Sequence, residues 1–321
     1  MKCSVVVPTH QRADLLDRLL ASLVHQDLAD SAFEIIICDD ARSVETREQV
    51  RRWAAKYVVE VRYASAEGDE RGPAAARNLG WKAARAPIIA FTDDDTVPAG
   101  DWLRRGLAAF VDGVDAVTGR VVVPLSRAPT DHERNTARLG DAAFVTANCF
   151  CRRVVLERLG GFDARFRAAW REDSDLHFRL LEHGYRVANA PDAVVVHPVR
   201  AEGWGASLRA ERKHVFDALL YKLHPEHFRR FIGRECPPLY YMIPVMALFV
   251  LVGVLAGRPW IAGPAAAGWL AATAVLTARR LRSTSRRAGH VFEMIVTTAA
   301  LPFLSLYWRL RGGIQYRTAF W

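Results

Sequence analysis

The chain has 321 residues, 51% of them hydrophobic and 25% charged, with a formal net charge of +9. That composition excludes a disordered chain and a uniformly membrane-embedded one. The positive excess gathers beside apolar runs (Arg279, Arg280, Arg282, Arg286, Arg287), and no Lys/Arg stripe interleaved with aromatics occurs in the N-terminal part, which argues against nucleic acid and for a membrane surface.

In chain order, Val5-Val6-Val7, ended by Pro8, predicts a buried parallel strand. Residues 14–24 place Leu15, Leu16, Leu19, Leu20 and Leu23 at helical spacing, with Asp14 in the first turn. Residues 34–38 predict a second strand ending in Asp39-Asp40, 44–57 a polar helix, 58–63 a third strand and 73–84 an alanine-rich helix. Residues 87–92 predict a fourth strand, ending in Asp93-Asp94-Asp95. Strand and helix alternate, so an α/β fold is expected: a mostly parallel sheet with helices on both faces. Ligands of such sheets bind beyond the carboxyl ends of the strands, and Thr9, Asp39, Asp40 and the 93–95 triplet all fall there. A helix cap needs one carboxylate, not three at a strand end.

Further along, 102–110 predicts a helix, 116–123 a strand, 124–142 a charged loop, 144–152 a strand and 153–159 a helix before Gly160-Gly161. Glu172 and Asp173 open a helix over 173–183, and Val194-Val195-Val196 leads to His197. The scattered Cys3, Cys38, Cys149, Cys151 and Cys236 lack zinc-site spacing and read as reduced thiols. Lys2 is followed by a short apolar run that stops at Pro8, unlike a secretory leader, so the first domain is expected on the cytoplasmic side.

The basic stretch 207–234, with Leu208, Val215, Phe216 and Leu219 interleaved, predicts an amphipathic helix on a membrane face or on the domain itself. Segments 239–257 and 260–278 are uncharged and suit a hydrocarbon core of ~30 Å. A third, 291–308, contains Glu293 and Pro302. With the arginines of 279–287 on the cytoplasmic side, the first two form a hairpin. A crossing third segment would carry Arg309, Arg311 and Arg317 outside, so a re-entrant or interfacial course is its alternative. The expected division is a catalytic domain at 1–202, a basic linker at 203–238 and a C-terminal membrane anchor of transmembrane helices at 239–321.

Val5-Val6-Val7-Pro8-Thr9-His10-Gln11-Arg12, Glu34 to Asp40, Arg71-Gly72-Pro73-Ala74-Ala75-Ala76-Arg77-Asn78, Phe91-Thr92-Asp93-Asp94-Asp95, Gly160-Gly161-Phe162-Asp163 and Glu172-Asp173-Ser174-Asp175-Leu176 follow one another in order. Over about residues 3–200 this series resembles the family 2 glycosyltransferases of the Rossmann-like GT-A fold. The resemblance implies inverting transfer of a sugar from a nucleotide-diphosphate donor, UDP-linked by preference, assisted by a divalent metal, Mg²⁺ or Mn²⁺. It makes Asp95 the direct metal ligand, with His197 a further one, and puts Asp93 and Asp94 on the donor. It puts Thr9 and Arg12 in the loop that holds base and ribose, Asp40 on the base, and Asp173 in the role of general base. Arg71 and Arg77 are cations near the expected diphosphate, where a guanidinium fork suits phosphate oxygens.

This chain departs from the family pattern at His10-Gln11, where an aromatic-Asn pair is commoner. No Gln-x-x-Arg-Trp motif follows Asp173, which implies a single addition rather than processive synthesis. The apolar segments imply a membrane-associated acceptor, lipid-linked or glycan. Trp170 and Trp204 either stack on sugar rings or pack. The alternatives are a donor-binding membrane scaffold without catalysis and a nucleotidyltransferase, which also pairs carboxylates with metals. The absence of G-x-G-x-x-G after the first strand sets aside a Rossmann dehydrogenase.

Overall fold

The computed structural model describes residues 1–65, 71–233 and 237–319. Arg234, Cys236 and residues 67–70 of the polar loop before Arg71 therefore lie outside the described residues. The chain forms two compact units, one of Met1–Pro124 with Ala137–Val199, the other of Leu125–Thr136 with Arg200–Trp321.

The first unit runs β1 (Cys3–Thr9), α1 (Ala13–Leu23), β2 (Phe33–Asp39), α2 (Val44–Lys56), β3 (Glu60–Ala64), α3 (Pro73–Ala83), β4 (Ile88–Phe91), β5 (Val97–Pro98), α4 (Trp102–Ala108) and β6 (Ala116–Val122). After the short α5 (Asp131–Ala137), which belongs almost wholly to the second unit, come β7 (Cys149–Arg152), α6 (Arg153–Leu159), α7 (Glu172–Glu182) and β8 (Val187–Val196). The strands form one eight-stranded sheet in the order β3-β2-β1-β4-β7-β6-β8-β5.

The sheet is parallel from β3 to β4, as the alternation of elements requires. Beyond β4 it is mixed: β7 runs antiparallel to β4 and β6, while β6 and β8 are parallel. The expected strand over 144–152 begins only at Cys149, because Thr146–Asn148 form a 3₁₀ turn. The buried Asn148 fixes that turn. It accepts from Trp102 Nε1 at 2.8 Å and donates to the Arg120 and Ala193 carbonyls at 3.0 and 2.8 Å.

Alternate side chains of the central strands enter opposite cores, the period of two that a pleated strand imposes. Val5, Val7, Ile35 and Ile37 pack with residues of α1, α2 and α4. Val6, Ile36 and Cys38 pack with residues of α3, α6 and α7. Each fully buried Val, Leu or Ile contributes about 1.5–3 kcal/mol, so the two layers hold the strand ends rigidly. Gly80 lets α3 lie close to the sheet, since a Cβ there would overlap Val6 and Cys38. Cys3, Cys38, Cys149 and Cys151 are free and buried, and burial pushes their thiols up, away from the thiolate.

The second unit comprises α8 (Ala206–Ala210), α9 (Val215–Leu223), α10 (Pro225–His227), α11 (Leu239–Leu255), α12 (Pro259–Leu281) and α13 (Ala288–Tyr316). The basic stretch is not one amphipathic helix. A 3₁₀ turn at Glu211–His214 interrupts it, Pro225 starts a new turn, and Phe228–Ile232 is π-helical. The stretch 124–142 is not a bare loop, since it holds α5 and a 3₁₀ turn at Arg138–Asp141. By length and composition, α12 and α13 are long and apolar enough to cross a membrane, whereas α11 has 17 residues and is shorter. The third apolar segment is thus the longest helix, 29 residues unbroken through Pro302.

Candidate active site

The register Thr9↔Asp39 between β1 and β2, and Val6↔Phe91 between β1 and β4, brings three strand ends to one rim. Just past β4 the chain turns tightly. The Thr96 hydroxyl and amide both donate to the Asp93 carbonyl, at 2.8 and 3.2 Å, and Thr92 Oγ1 lies 2.7 Å from Thr96 Oγ1. That turn sends the three aspartates in different directions.

Asp94 points into the protein and is 1% exposed. Its oxygens accept from Thr9 Oγ1 at 2.8 Å and Arg12 Nη1 at 3.0 Å. Burial raises its pKa, while Arg12 and Thr9 oppose the rise. Thr9, Arg12 and Asp94, all expected at the donor, are thus bonded to one another. Thr9 and Asp94 are buried against each other and brace the β1 and β4 ends, while Arg12 keeps an exposed side.

Asp93 and Asp95 turn the other way and meet His197. One ligand atom from each of the three lies within 4.8 Å of the others. His197 is placed by β8, where its amide donates to the Val122 carbonyl at 2.9 Å. Its Nε2 stands 3.5 Å from Asp95 Oδ1, and its Nδ1 lies 3.4 Å from the Pro198 carbonyl. A proton on Nδ1 leaves the Nε2 lone pair facing the carboxylates, the usual arrangement of a ligating imidazole. Two carboxylates and one imidazole fit a hard or borderline divalent cation such as Mg²⁺ or Mn²⁺. Asp93, assigned from the sequence to the donor, stands with Asp95 and His197 in this group.

Arg77 lies beneath the same triplet. It is 2% exposed, donating from Nη2 to Asp93 at 2.7 Å and from Nη1 to Glu172 at 3.0 Å. Burial would weaken its charge, but Asp93 and Glu172 more than offset that and hold the guanidinium firmly protonated. Arg77, expected near the diphosphate, has both ends of its fork on carboxylates.

Glu172 is the residue that sequence reasoning missed. It is 3% exposed, and its second oxygen has no hydrogen-bond partner among the described residues. Burial pushes its carboxyl up to about 7, against the pull of Arg77. Asp173, next along α7, is also raised by burial, opposed by the Ser174 amide at 2.7 Å and the charge of Arg171. Arg171 precedes the helix in a left-handed conformation, φ 76°, with its guanidinium 4.5 Å above the Trp170 ring. One signal for Glu172 was available: α3 itself carries no carboxylate, so an arginine on it must be paired from outside the helix.

At the β2 end the two aspartates divide. Asp39 accepts from Ala41 N, Ser43 N and Tyr63 Oη, and so shapes the turn into α2. Asp40 accepts from the Gly72 amide at 2.9 Å, faces His10 Nδ1 at 3.3 Å, and takes Arg71 Nη1 on its carbonyl at 2.8 Å. Asp40 and Arg71, both assigned to the donor, are thus brought together on the rim.

A half-parallel α/β sheet that presents an acidic turn and a histidine at its strand ends defines the GT-A class. Residues 4–169 match the model of glycosyl transferase family 2, and 88–309 that of glycosyl transferase family group 2. The chain belongs to glycosyl transferase family 2.

Among its relatives, validoxylamine A glucosyltransferase of Streptomyces hygroscopicus is 28% identical over 77% of this chain and 64% of its own length. Pre-mycofactocin glycosyltransferase of Mycobacterium tuberculosis is 30% identical over 62% of this chain and 43% of its own. The chain spans about three-fifths of the length of the first of these curated relatives. The mannosyltransferase PcManGT of Pyrobaculum calidifontis, solved with GDP-Man and Mn²⁺, superposes with a TM-score of 0.57 at 25% identity, covering 97% of this chain and 86% of that one. Residues 1–349 of TarS from Staphylococcus aureus, solved with UDP, share the fold at a TM-score of 0.52 and 16% identity, over 97% and 92% of the two chains.

Proposed function

We propose that this protein transfers a sugar from a nucleoside-diphosphate donor to an acceptor with inversion at the anomeric carbon, adding one residue per encounter. The observation that carries the proposal is the continuous group Asp95–His197–Asp93–Arg77–Glu172, with Asp173 adjoining it. Asp93, Asp95 and His197 would hold a divalent cation, which supplies positive charge to the two phosphates of the departing nucleotide. Asp40 accepts from an imino N–H of the base, which uracil and guanine both possess, and a UDP-sugar is the donor to test first. Arg71 offers a guanidinium to the phosphates from the rim. Asp173 takes the proton of the acceptor hydroxyl as its oxygen attacks the face opposite the leaving group. Glu172, held by Arg77, keeps the start of α7 and hence Asp173 in place. The relatives named as glycosyltransferases, and PcManGT with its nucleotide sugar and Mn²⁺, support this reading.

The acceptor is membrane-associated, lipid-linked or glycan, because the second unit carries the apolar helices of a membrane anchor. Its arginine block, Arg279 to Arg287, supports a cytoplasmic location for the catalytic unit.

The test is donor turnover with Mn²⁺ or Mg²⁺ and membrane extract, following the nucleotide released. A nucleoside diphosphate is expected; pyrophosphate would identify a nucleotidyltransferase, and no release under any metal a scaffold. In the same assay Asp173→Asn keeps donor binding and loses most transfer, while Asp95→Ala loses metal-dependent donor binding by calorimetry. Undiminished behaviour of either variant removes that residue from its role.

A further inference from the structure

Within the second unit, α13 has two unlike sides. One buries Met294, Leu301 and Pro302 together with the polar Thr297, Thr298, Ser305 and Arg309, and Gly312. The segment from Gly205 to Lys222 lies along that side. The Gly205 amide donates to Glu293 Oε1 at 2.8 Å, Arg309 stands 3.9 Å from the fully buried Asp217, and Lys222 Nζ donates to the Tyr316 carbonyl at 2.8 Å. At Gly312 a Cβ would come within 2.7 Å of the Val215 carbonyl and 3.0 Å of the Ala218 Cβ, so α9 and α13 are in close contact there. The partner numbers rise together, from 205 with 293 to 222 with 316. The two segments therefore run side by side in the same direction for most of the length of α13.

The outer face of this cover is charged, while Val215, Ala218, Leu219 and Leu220 of α9 are buried beneath it. Arg209, Arg212 and Lys222 are exposed on it. A cation at the centre of a bilayer costs about 2.5–3.5 kcal/mol on insertion scales. Were α13 to cross the membrane, its cover would have to cross with it.

Arg280, near the end of α12, gives an independent indication. It donates to Thr297 and Thr298 at 3.0 and 2.8 Å and to Ser207 at 3.2 Å. If α12 and α13 were antiparallel neighbours joined by residues 282–287, Arg280 would face a residue near 289. Its partners lie about 12 Å further along α13, more than the side chain's own reach toward the start of α12 covers, so α13 is offset from a simple hairpin register with α12.

The other side of α13 exposes Phe292, Ile295, Phe303, Tyr307 and Ile314 at helical spacing. We propose that α13 does not cross the bilayer but lies in its surface, with this apolar stripe seated at the boundary between headgroups and acyl chains and residues 205–222 covering its other side. The stripe's occupant is the lipid of the same membrane that α11 and α12 enter. The proposal rests on the membrane-anchor reading above, and it keeps Arg311 and Arg317 on the side of Arg286 and Arg287, in line with the positive-inside tendency.

The experiment uses the full chain with Cys236→Ser and single added thiols, Arg258→Cys, Arg286→Cys or Thr318→Cys, in right-side-out and inverted vesicles. An impermeant maleimide is expected to label 286 and 318 from the same face and 258 from the other. Labelling of 318 with 258 overturns the proposal. Spin labels at Phe292→Cys, Phe303→Cys and Ile314→Cys are expected at one shallow depth; a graded series with 303 deepest also overturns it. If 258 shares the face of 286, the crossing hairpin fails instead, and the depth series still decides the course of α13.

Discussion

Arg77 joins Asp93, one of the three residues that could hold a cation, to a buried glutamate, and the charge on Glu172 is where the site should respond to pH. Its carboxyl moves from an ordinary 4.5 to about 7 on folding, because burial disfavours the anion more than Arg77 favours it. Between those values the folded protein binds the proton and the unfolded chain does not, so this residue's contribution to stability is complete below pH 4.5 and is lost as pH rises through 7. Glutamine copies the protonated form. Glu172→Gln should therefore match the wild type in melting temperature near pH 5 and gain on it toward pH 8, by calorimetry across that range. Parallel curves would show that Glu172 is already ionised at the lower pH. The Asp93–Asp95 triplet was legible in the sequence because a helix cap would account for only one of three carboxylates at a strand end. The division of labour within it was not. Whether an aspartate faces inward to Thr9 and Arg12 or outward to His197 depends on a turn held by Thr96, and on partners far away in the chain, Thr9 lying 85 residues before Asp94.

Element placement follows from the contacts that lock α3, the 160–163 turn and α7 together. The Asn78 side chain donates to the Phe162 carbonyl at 2.7 Å and accepts from its amide at 2.8 Å, while Arg179 of α7 donates to the Gly161 carbonyl at 2.7 Å. Gly161 has φ +73°, and a Cβ there would overlap Asn78 and Trp81. Gly161→Ala thus meets both a backbone conformation and a space that only glycine suits, at about 1–3 kcal/mol. A lowered melting temperature is expected, with transfer falling more than donor binding, since α7 carries Asp173, the proposed base, and the proposed cation group lies elsewhere. An unchanged melting temperature would mean that the turn relaxes freely. The alternation of strands and helices, and the glycine pair itself, were visible in the sequence. The antiparallel β7, the 3₁₀ turn before it and the two-way clip by Asn78 were not, because each depends on pairing across the sheet rather than on local periodicity.

For the molecule as a whole, the sequence marked where charge gives way to apolar runs, and the helices begin close to where those runs begin. Their ends were misjudged wherever a charge fell inside a helix: α12 continues through Arg279 and Arg280 to Leu281 because Arg280 is held by partners in the fold. The larger miss was 125–136, which leaves the first unit between β6 and β7 and belongs with the second. It reads as a loop because it has no apolar face, and α5 indeed buries no residue. Polar contacts hold it instead: Asp131 to Arg280 at 2.7 Å, Arg134 to the Ser283 carbonyl at 3.3 Å, and the Ser285 amide to the Pro129 carbonyl at 2.8 Å. With no apolar burial behind it, the segment depends on its one charged pair, and hydrogen bonds to charged groups contribute about 1.5–3 kcal/mol. Asp131→Ala removes that pair and leaves a mostly buried guanidinium with only hydroxyl partners. In the full chain the segment should then open locally, and trypsin should cut after Arg127 or Arg134 faster than in the wild type, before global unfolding. Because the pair is partly shielded from solvent, raising the salt concentration should not reproduce the effect in the wild type. Equal digestion of variant and wild type would mean that the two backbone-carbonyl contacts suffice to hold 125–136 in place.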